Sequence, residues 1–271
     1  MARGRTRSLA LVAVAAATVV AGCGALGGGS VETVTPAPVP TDGVAYPPGV
    51  AADGVSPARV ANAHERTLLT TNYTVSSRRA VVGPNGTMRT TNRTRTVAAG
   101  GETYAGRFDR TVGDSPLATL PLTLEYWTNG SVYASREFVS GSPEYYGWSQ
   151  GDRATEDVDY STVLTRTFDA VDVRVADRSA DGVVLVGSRL RRPDRLPNQP
   201  YLTDPRNVSL TARVTDDGVV SRWRLAYDAT VADRPVRVVW RITVADVGTT
   251  TVDRPPWVDT AKEWVRMRRA G

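Results

Sequence analysis

The chain has 271 residues, 41% hydrophobic and 23% charged, with a formal charge of +5 and one cysteine. Removing residues 1–22 takes away three arginines and no acid, which leaves 30 basic against 28 acidic residues and a charge of +2. That near-neutral balance gives no case for a nucleic-acid binder, which calls for a concentrated basic footprint, and a single cysteine excludes an internal disulfide framework.

Arg3, Arg5 and Arg7 precede an apolar run from Leu9 to Ala21, which closes in Val19-Val20-Ala21-Gly22-Cys23. A basic region, an apolar region and small residues before a cut is the order of a secretory signal. The run is shorter than the ~20 apolar residues of a membrane-spanning helix. Its last residues resemble the lipobox of bacterial and haloarchaeal lipoproteins. The resemblance implies that residues 1–22 are a signal peptide and that Cys23 is lipidated. It also implies an extracytoplasmic protein, anchored to the outer face of the cell membrane by that lipid. Cleavage without lipidation is the competing reading of the same residues.

Residues 23–50 are rich in Gly, Pro, Thr, Val and Ala. Such a segment buries too little apolar surface to fold and reads as a flexible stalk. Its reach is on the order of 30 Å. Residues 51–271 are long enough for one domain with a substantial core.

In that domain a helix is expected first. Ser56 is placed to cap it, Pro57 to occupy its first position, and Val60, Ala63, His64, Thr67 and Leu68 to form its apolar face. From Tyr73 onward turn signals recur: Pro84-Asn85-Gly86, Gly100-Gly101, Asn129-Gly130, Asp181-Gly182 and Asp216-Asp217-Gly218. They predict hairpins. Residues 208–214, 219–231 and 236–244 alternate apolar and polar, the signal of half-buried antiparallel strands, and predict a C-terminal meander. Residues 87–97, TMRTTNRTRTV, are polar on both faces, with Arg89, Arg93 and Arg95 on one side. That pattern predicts a strand at an edge or over a solvated surface. Val163, Leu164 and Phe168 suggest a helix between the two halves, capped by Asp159 or Ser161. Residues 192–207 read as a loop, and Trp257 to Arg269 as a helix packed through Trp257, Ala261, Trp264 and Val265.

No motif identifies a reaction, so no enzymatic activity is expected. His64 is the only histidine and Cys23 lies at the anchor, which leaves no zinc set. On the apolar helix face, His64 reads as a hydrogen-bonded structural residue. Asp152, Glu156, Asp157 and Asp159 lack the spacing of a calcium loop and read as a solvated loop. No metal or cofactor is expected. The group Tyr126, Trp127, Tyr133, Tyr145, Tyr146 and Trp148 could line a ligand pocket; core and sheet packing would use the same residues. Asn72, Asn85, Asn92, Asn129 and Asn207 open N-x-[ST] sequons and are candidate glycan acceptors.

The order of lipobox, stalk, helix, long antiparallel run and helical crossover resembles the uncharacterised lipoproteins of haloarchaea. It is also similar to the half-barrel lipoprotein carriers of the LolA and LppX/LprG types. The resemblance implies an α+β fold, a curved antiparallel sheet (half-barrel) with helices packed on the concave face. It implies binding or carriage of a lipid or other apolar ligand. The alternative is a structural or protein-interaction module of the cell envelope with no ligand pocket.

Overall fold

The computed structural model describes residues 45–116, 119–150, 157–179, 181–197 and 199–270. Cys23 and the signal and stalk expectations lie outside these residues, apart from the stalk's last positions. There the chain is already packed. Val50 is buried in the core, and Arg178 stacks 4.4 Å from the Tyr46 ring centre.

A two-residue pairing of β1 (Val50–Ala51) with β2 (Gly54–Val55) leads into α1 (Pro57–Leu69). Pro57 sits at the start of α1, where its missing N–H costs nothing, and Val60, Ala61, Ala63, His64 and Leu68 form its buried face. Six strands follow as one meander: β3 (Tyr73–Gly83), β4 (Gly86–Val97), β5 (Thr103–Val112), β6 (Leu122–Asn129), β7 (Val132–Val139) and β8 (Ser142–Gln150). The crossover is α2 (Ser161–Ala170). A second meander then runs through β9 (Val171–Ser179), β10 (Gly182–Leu190), β11 (Thr203–Val214), β12 (Val220–Val231) and β13 (Arg234–Ala245). The last element is α3 (Trp257–Ala270).

The two meanders join through β13 and β3 into one open antiparallel sheet of eleven strands, ordered β8-β7-β6-β5-β4-β3-β13-β12-β11-β10-β9. The fold is α+β, a curved half-barrel. The predicted C-terminal meander is β11 to β13, and Trp223, Leu225, Tyr227, Ala229 and Val231 share its buried face. Burying each large apolar side chain there is worth about 1.5–3 kcal/mol.

That face carries α1 and α2. Val60 and Leu68 of α1, Leu164 and Phe168 of α2, and Val75, Val238 and Leu225 of the sheet form one core. The third helix lies on the reverse face. Adjacent strand residues point to opposite sides; Tyr126 joins the main core, whereas Trp127 joins Ala134, Trp257, Val258 and Ala261 in a second cluster.

The position of β4 is a correction. Its all-polar sequence predicted an edge strand or a solvated surface, yet it lies inside the sheet between β3 and β5. Its arginine face does not meet the apolar core directly. It faces a cleft under α2, and aromatic rings take the place of aliphatic neighbours.

Candidate functional site

The cleft has a volume of about 460 Å³. Its floor alternates long and short side chains in register. Arg79 on β3 stands opposite Thr91 on β4, and Ser77 stands opposite Arg93. Arg89 and Arg93 flank Thr91 on the same face of β4. Trp240 of β13 adjoins Arg79, and Phe108 of β5 adjoins Arg93. Asp157, Tyr160 and Val163 close the cleft from the α2 side.

Three guanidinium groups lie beside rings, two of them against a ring face and the third, Arg89, at the hydroxyl edge of Tyr201. Arg79 lies 5.0 Å from the Trp240 ring centre, Arg93 lies 5.3 Å from Phe108, and Arg89 lies 5.8 Å from Tyr201. Two of them also spend an in-plane donor: Arg79 Nη2 donates to the Tyr227 hydroxyl and Arg89 Nη1 to the Tyr201 hydroxyl, each at 3.1 Å, while Arg79 Nε is buried without a partner among the described residues. Contact with a ring leaves the remaining N–H donors available to bond elsewhere. Trp240 is itself fixed. Its indole N–H donates to the Ser77 hydroxyl at 2.8 Å, and Trp223 and Tyr160 meet it edge-on.

Arg95, at the back of the same row, is 1% exposed. Its Nε donates to the Tyr126 hydroxyl at 3.0 Å, and its Nη1 donates to the carbonyls of Asp157 and Val158 at 3.3 and 3.2 Å. It thus ties the sheet to the chain entering α2. The first turn of α2 is capped by that same chain. The Asp157 carboxylate accepts the N–H groups of Thr162 and Val163, each at 3.2 Å, and Asp159 accepts that of Ser161 at 2.9 Å. This is where the predicted acidic loop goes. Its described members serve as helix caps, while Asp152 and Glu156 lie outside the described residues. Burial pushes the Asp157 carboxyl up to about 6, and the neighbouring Asp159 charge adds to the rise; the N–H donors of Thr162 and Val163 oppose it.

His64 is buried under the same helix pair. Its Nε2 donates to the Asp159 carbonyl and its Nδ1 accepts from the Val220 N–H, both at 3.0 Å. A carbonyl only accepts, so the neutral Nε2–H tautomer satisfies both bonds. Burial lowers its pKa below the usual 6.5. Among the described residues no group of His, Cys, Asp and Glu is arranged to hold a metal ion.

The aromatic group singled out from the sequence is divided by the sheet. Tyr126 and Tyr133 stack on the α1–α2 side, with ring centres 6.4 Å apart. Tyr145 points the same way and is 51% exposed. Trp127, Tyr146 and Trp148 pack under α3 on the reverse face. None of the six lines the arginine cleft. The residues that do line it, Arg79, Phe108, Tyr160, Val163 and Trp240 among them, come from five separate elements. Only the alternating arginines of β4 signalled the site in the sequence.

The five sequon asparagines differ in setting. Asn85 and Asn129 are exposed at hairpin turns. Asn72 is committed, donating to the Thr250 carbonyl at 3.0 Å and accepting the Ala99 N–H at 2.8 Å. Asn207 donates to the Asp228 carboxylate at 2.8 Å, and Asn92 accepts from Arg78 at 3.2 Å.

A family model, DUF7537, described as a family of unknown function, matches residues 8–261. The chain belongs to DUF7537. No curated protein matches it. Among nine matching chains of solved structure is the crystal structure of a DUF1329 family protein from Desulfovibrio piger. It is 8% identical, with a TM-score of 0.26, and the match covers 74% of the DUF7537 chain and 94% of the other.

Proposed function

We propose that this DUF7537 protein is a non-catalytic binding protein that holds an amphiphilic ligand, a lipid or a lipid-like molecule, between α2 and the sheet. The cleft carries this reading. Its volume of about 460 Å³ falls inside the range of about 300–1,000 Å³ seen for small-molecule sites. Trp240, Phe108 and Val163 offer apolar surface beside polar groups. Apolar area moved from water onto those side chains yields about 25 cal/mol per Å². The volume suits a head group and the first part of its chains.

The resemblance of the Cys23 segment to a lipobox supports a protein tethered to the outer face of the membrane, with the ligand drawn from or delivered to that surface. The layout supports a carrier of the half-barrel lipoprotein kind, and the sequence layout supports a haloarchaeal source. Binding needs no cofactor. The engagement of both His64 ring nitrogens supports a structural role for the one histidine.

The test is native mass spectrometry of the full chain carrying Cys23→Ser, which removes the residue expected to be lipidated. A reproducible added mass, lost on denaturation and extractable into organic solvent, is the expected result. A bare polypeptide mass that takes up no added lipid would replace this reading with the envelope-interaction module.

A further inference from the structure

We infer that the ligand of the cleft carries an oxyanion (a phosphate, sulfate or carboxylate) and that Arg79, Arg89 and Arg93 bind it. The inference rests on the binding-protein reading above and names the chemistry that the site selects.

The argument starts from pairing. Several arginines elsewhere are neutralised by nearby acids. Arg107 meets Asp109 and Glu125, Arg136 meets Glu125, Arg237 meets Asp228 and Arg254 meets Asp259. Among the described residues, no carboxylate pairs with Arg79, Arg89 or Arg93. All three are partly buried against the cleft. Asp157 is the one acid on the described walls, and its oxygens are engaged by the backbone of α2. Among the described residues, three cations half-removed from water, with the one acid beside them already committed, make a site of unbalanced positive charge.

Register supplies the geometry. Thr91 lies between Arg89 and Arg93 on β4 and directly opposite Arg79 on β3. Diagonal neighbours across a strand pair sit about 7–8 Å apart at the backbone. The three arginines therefore rise from positions around one short hydroxyl residue, Thr91, with Ser77 beside it as a second. A group held at that point meets planar N–H forks on several sides. Arginine forks match carboxylate and phosphate oxygens, and such charge-assisted bonds are stronger than neutral ones. Stacking of Arg79 on Trp240 and of Arg93 on Phe108, with the hydrogen bonds of Arg79 to Tyr227 and of Arg89 to Tyr201, holds the guanidinium groups in place before the ligand arrives, so less freedom is lost on binding. The same rings present apolar surface next to the charge. A ligand with an anionic head and an apolar body fits both.

The test uses the full chain carrying Cys23→Ser and three probes: dioctanoyl phosphatidic acid, dioctanoylglycerol and inorganic phosphate. Affinities are measured by calorimetry. Phosphatidic acid is expected to bind at least about tenfold tighter than the neutral diglyceride, with inorganic phosphate competing. Arg89→Gln and Arg93→Gln should abolish that preference, so that phosphatidic acid binds no tighter than the diglyceride. Arg93→Lys, which keeps the charge and loses the fork, should fall between. Arg241→Gln, the same charge change on the reverse face, should leave the affinities for all three probes unchanged. Thermal unfolding of each variant checks that it folds.

Equal binding of the two lipids, unaffected by the cleft variants, would overturn the oxyanion inference and leave the binding-protein reading standing. Phosphate bound with neither lipid would uphold the oxyanion site and remove the amphiphile. No binding of any probe would overturn both.

Discussion

The Tyr126 hydroxyl lies 3.0 Å from the Arg95 Nε, although the two residues sit on strands separated by a third. Gly106 makes the contact available. It is the residue of β5 that stands between Arg95 and Tyr126 in register. The Tyr126 ring lies across it, so that a Cβ at 106 would be 2.5 Å from the ring. One absent side chain thus lets a tyrosine bridge two strands and hold the arginine that secures the approach to α2.

Gly106→Ala is therefore expected to push Tyr126 off Arg95 and to destabilise the fold by about 1–3 kcal/mol. Tyr126→Phe removes the hydroxyl alone and should cost about 1.5–3 kcal/mol, the range for a hydrogen bond to a charged group. Urea unfolding of both variants measures this. Unchanged midpoints would mean that the Arg95–Tyr126 contact contributes nothing.

Two buried groups predict opposite responses to acid. Burial lowers the pKa of His64 below 6.5. The stability it lends is thus present above about 6.5 and lost as pH falls below that value, because the unfolded chain takes up the proton first. Asp157 is raised from 3.8 to about 6. Its contribution is fully present below 3.8 and is lost as pH rises through about 6. His64→Gln should flatten the loss of stability on going from about pH 7 to about pH 5. Asp157→Asn should steepen it below about 6, because the compensating proton uptake is gone. Unfolding midpoints across that range decide between these slopes and a pH-independent fold.

On the reverse face Arg78, Arg241 and Arg224 stand directly opposite one another across β3, β13 and β12. Like charges so placed repel. Arg241→Thr, which also suits a strand, is expected to raise stability by about 0.2–1 kcal/mol at low salt. The gain should shrink as salt screens the row. Chemical unfolding at two ionic strengths measures it.

The third helix is held by a small cluster of its own, with Trp257, Val258 and Ala261 against Trp127 and Ala134. Trp257→Ala should cost about 3–5 kcal/mol of local stability. The loss should be confined to α3 and the β7–β8 edge, because the α1–α2 core lies on the other face. Hydrogen exchange would then speed up in those elements alone. Loss of protection in β11 to β13 as well would mean that the two faces unfold together.

How much of this was legible in the residues depended on which face of a strand was buried. The run from Val219 to Val231 alternates apolar and polar, so β12 and its partners could be read directly. The helices α1 and α3 were equally plain, through Ser56-Pro57 and Trp257-Ala261. The site was not, because β4 buries arginines in place of aliphatic residues and so reads as polar throughout. What those arginines meet is a matter of long-range register. Trp240 and Phe108 lie on strands far apart in sequence, and no local pattern brings them together. The aromatic group misled for a related reason. Tyr126 and Trp127 are neighbours on one strand, as are Tyr145 and Tyr146 on another. Adjacent strand residues face opposite ways, so a dense aromatic segment in a sheet serves both faces.

The central claim is that the cleft beneath α2 holds the ligand. Photolabelling tests it most directly: the full chain carrying Cys23→Ser is irradiated with a diazirine-bearing phosphatidic acid and the labelled residues are mapped. The account predicts labels on the cleft walls, at Phe108, Tyr160, Val163 or Trp240, that diminish in Arg93→Gln. Labels confined to the reverse face around α3, or none above a denatured control, would contradict it.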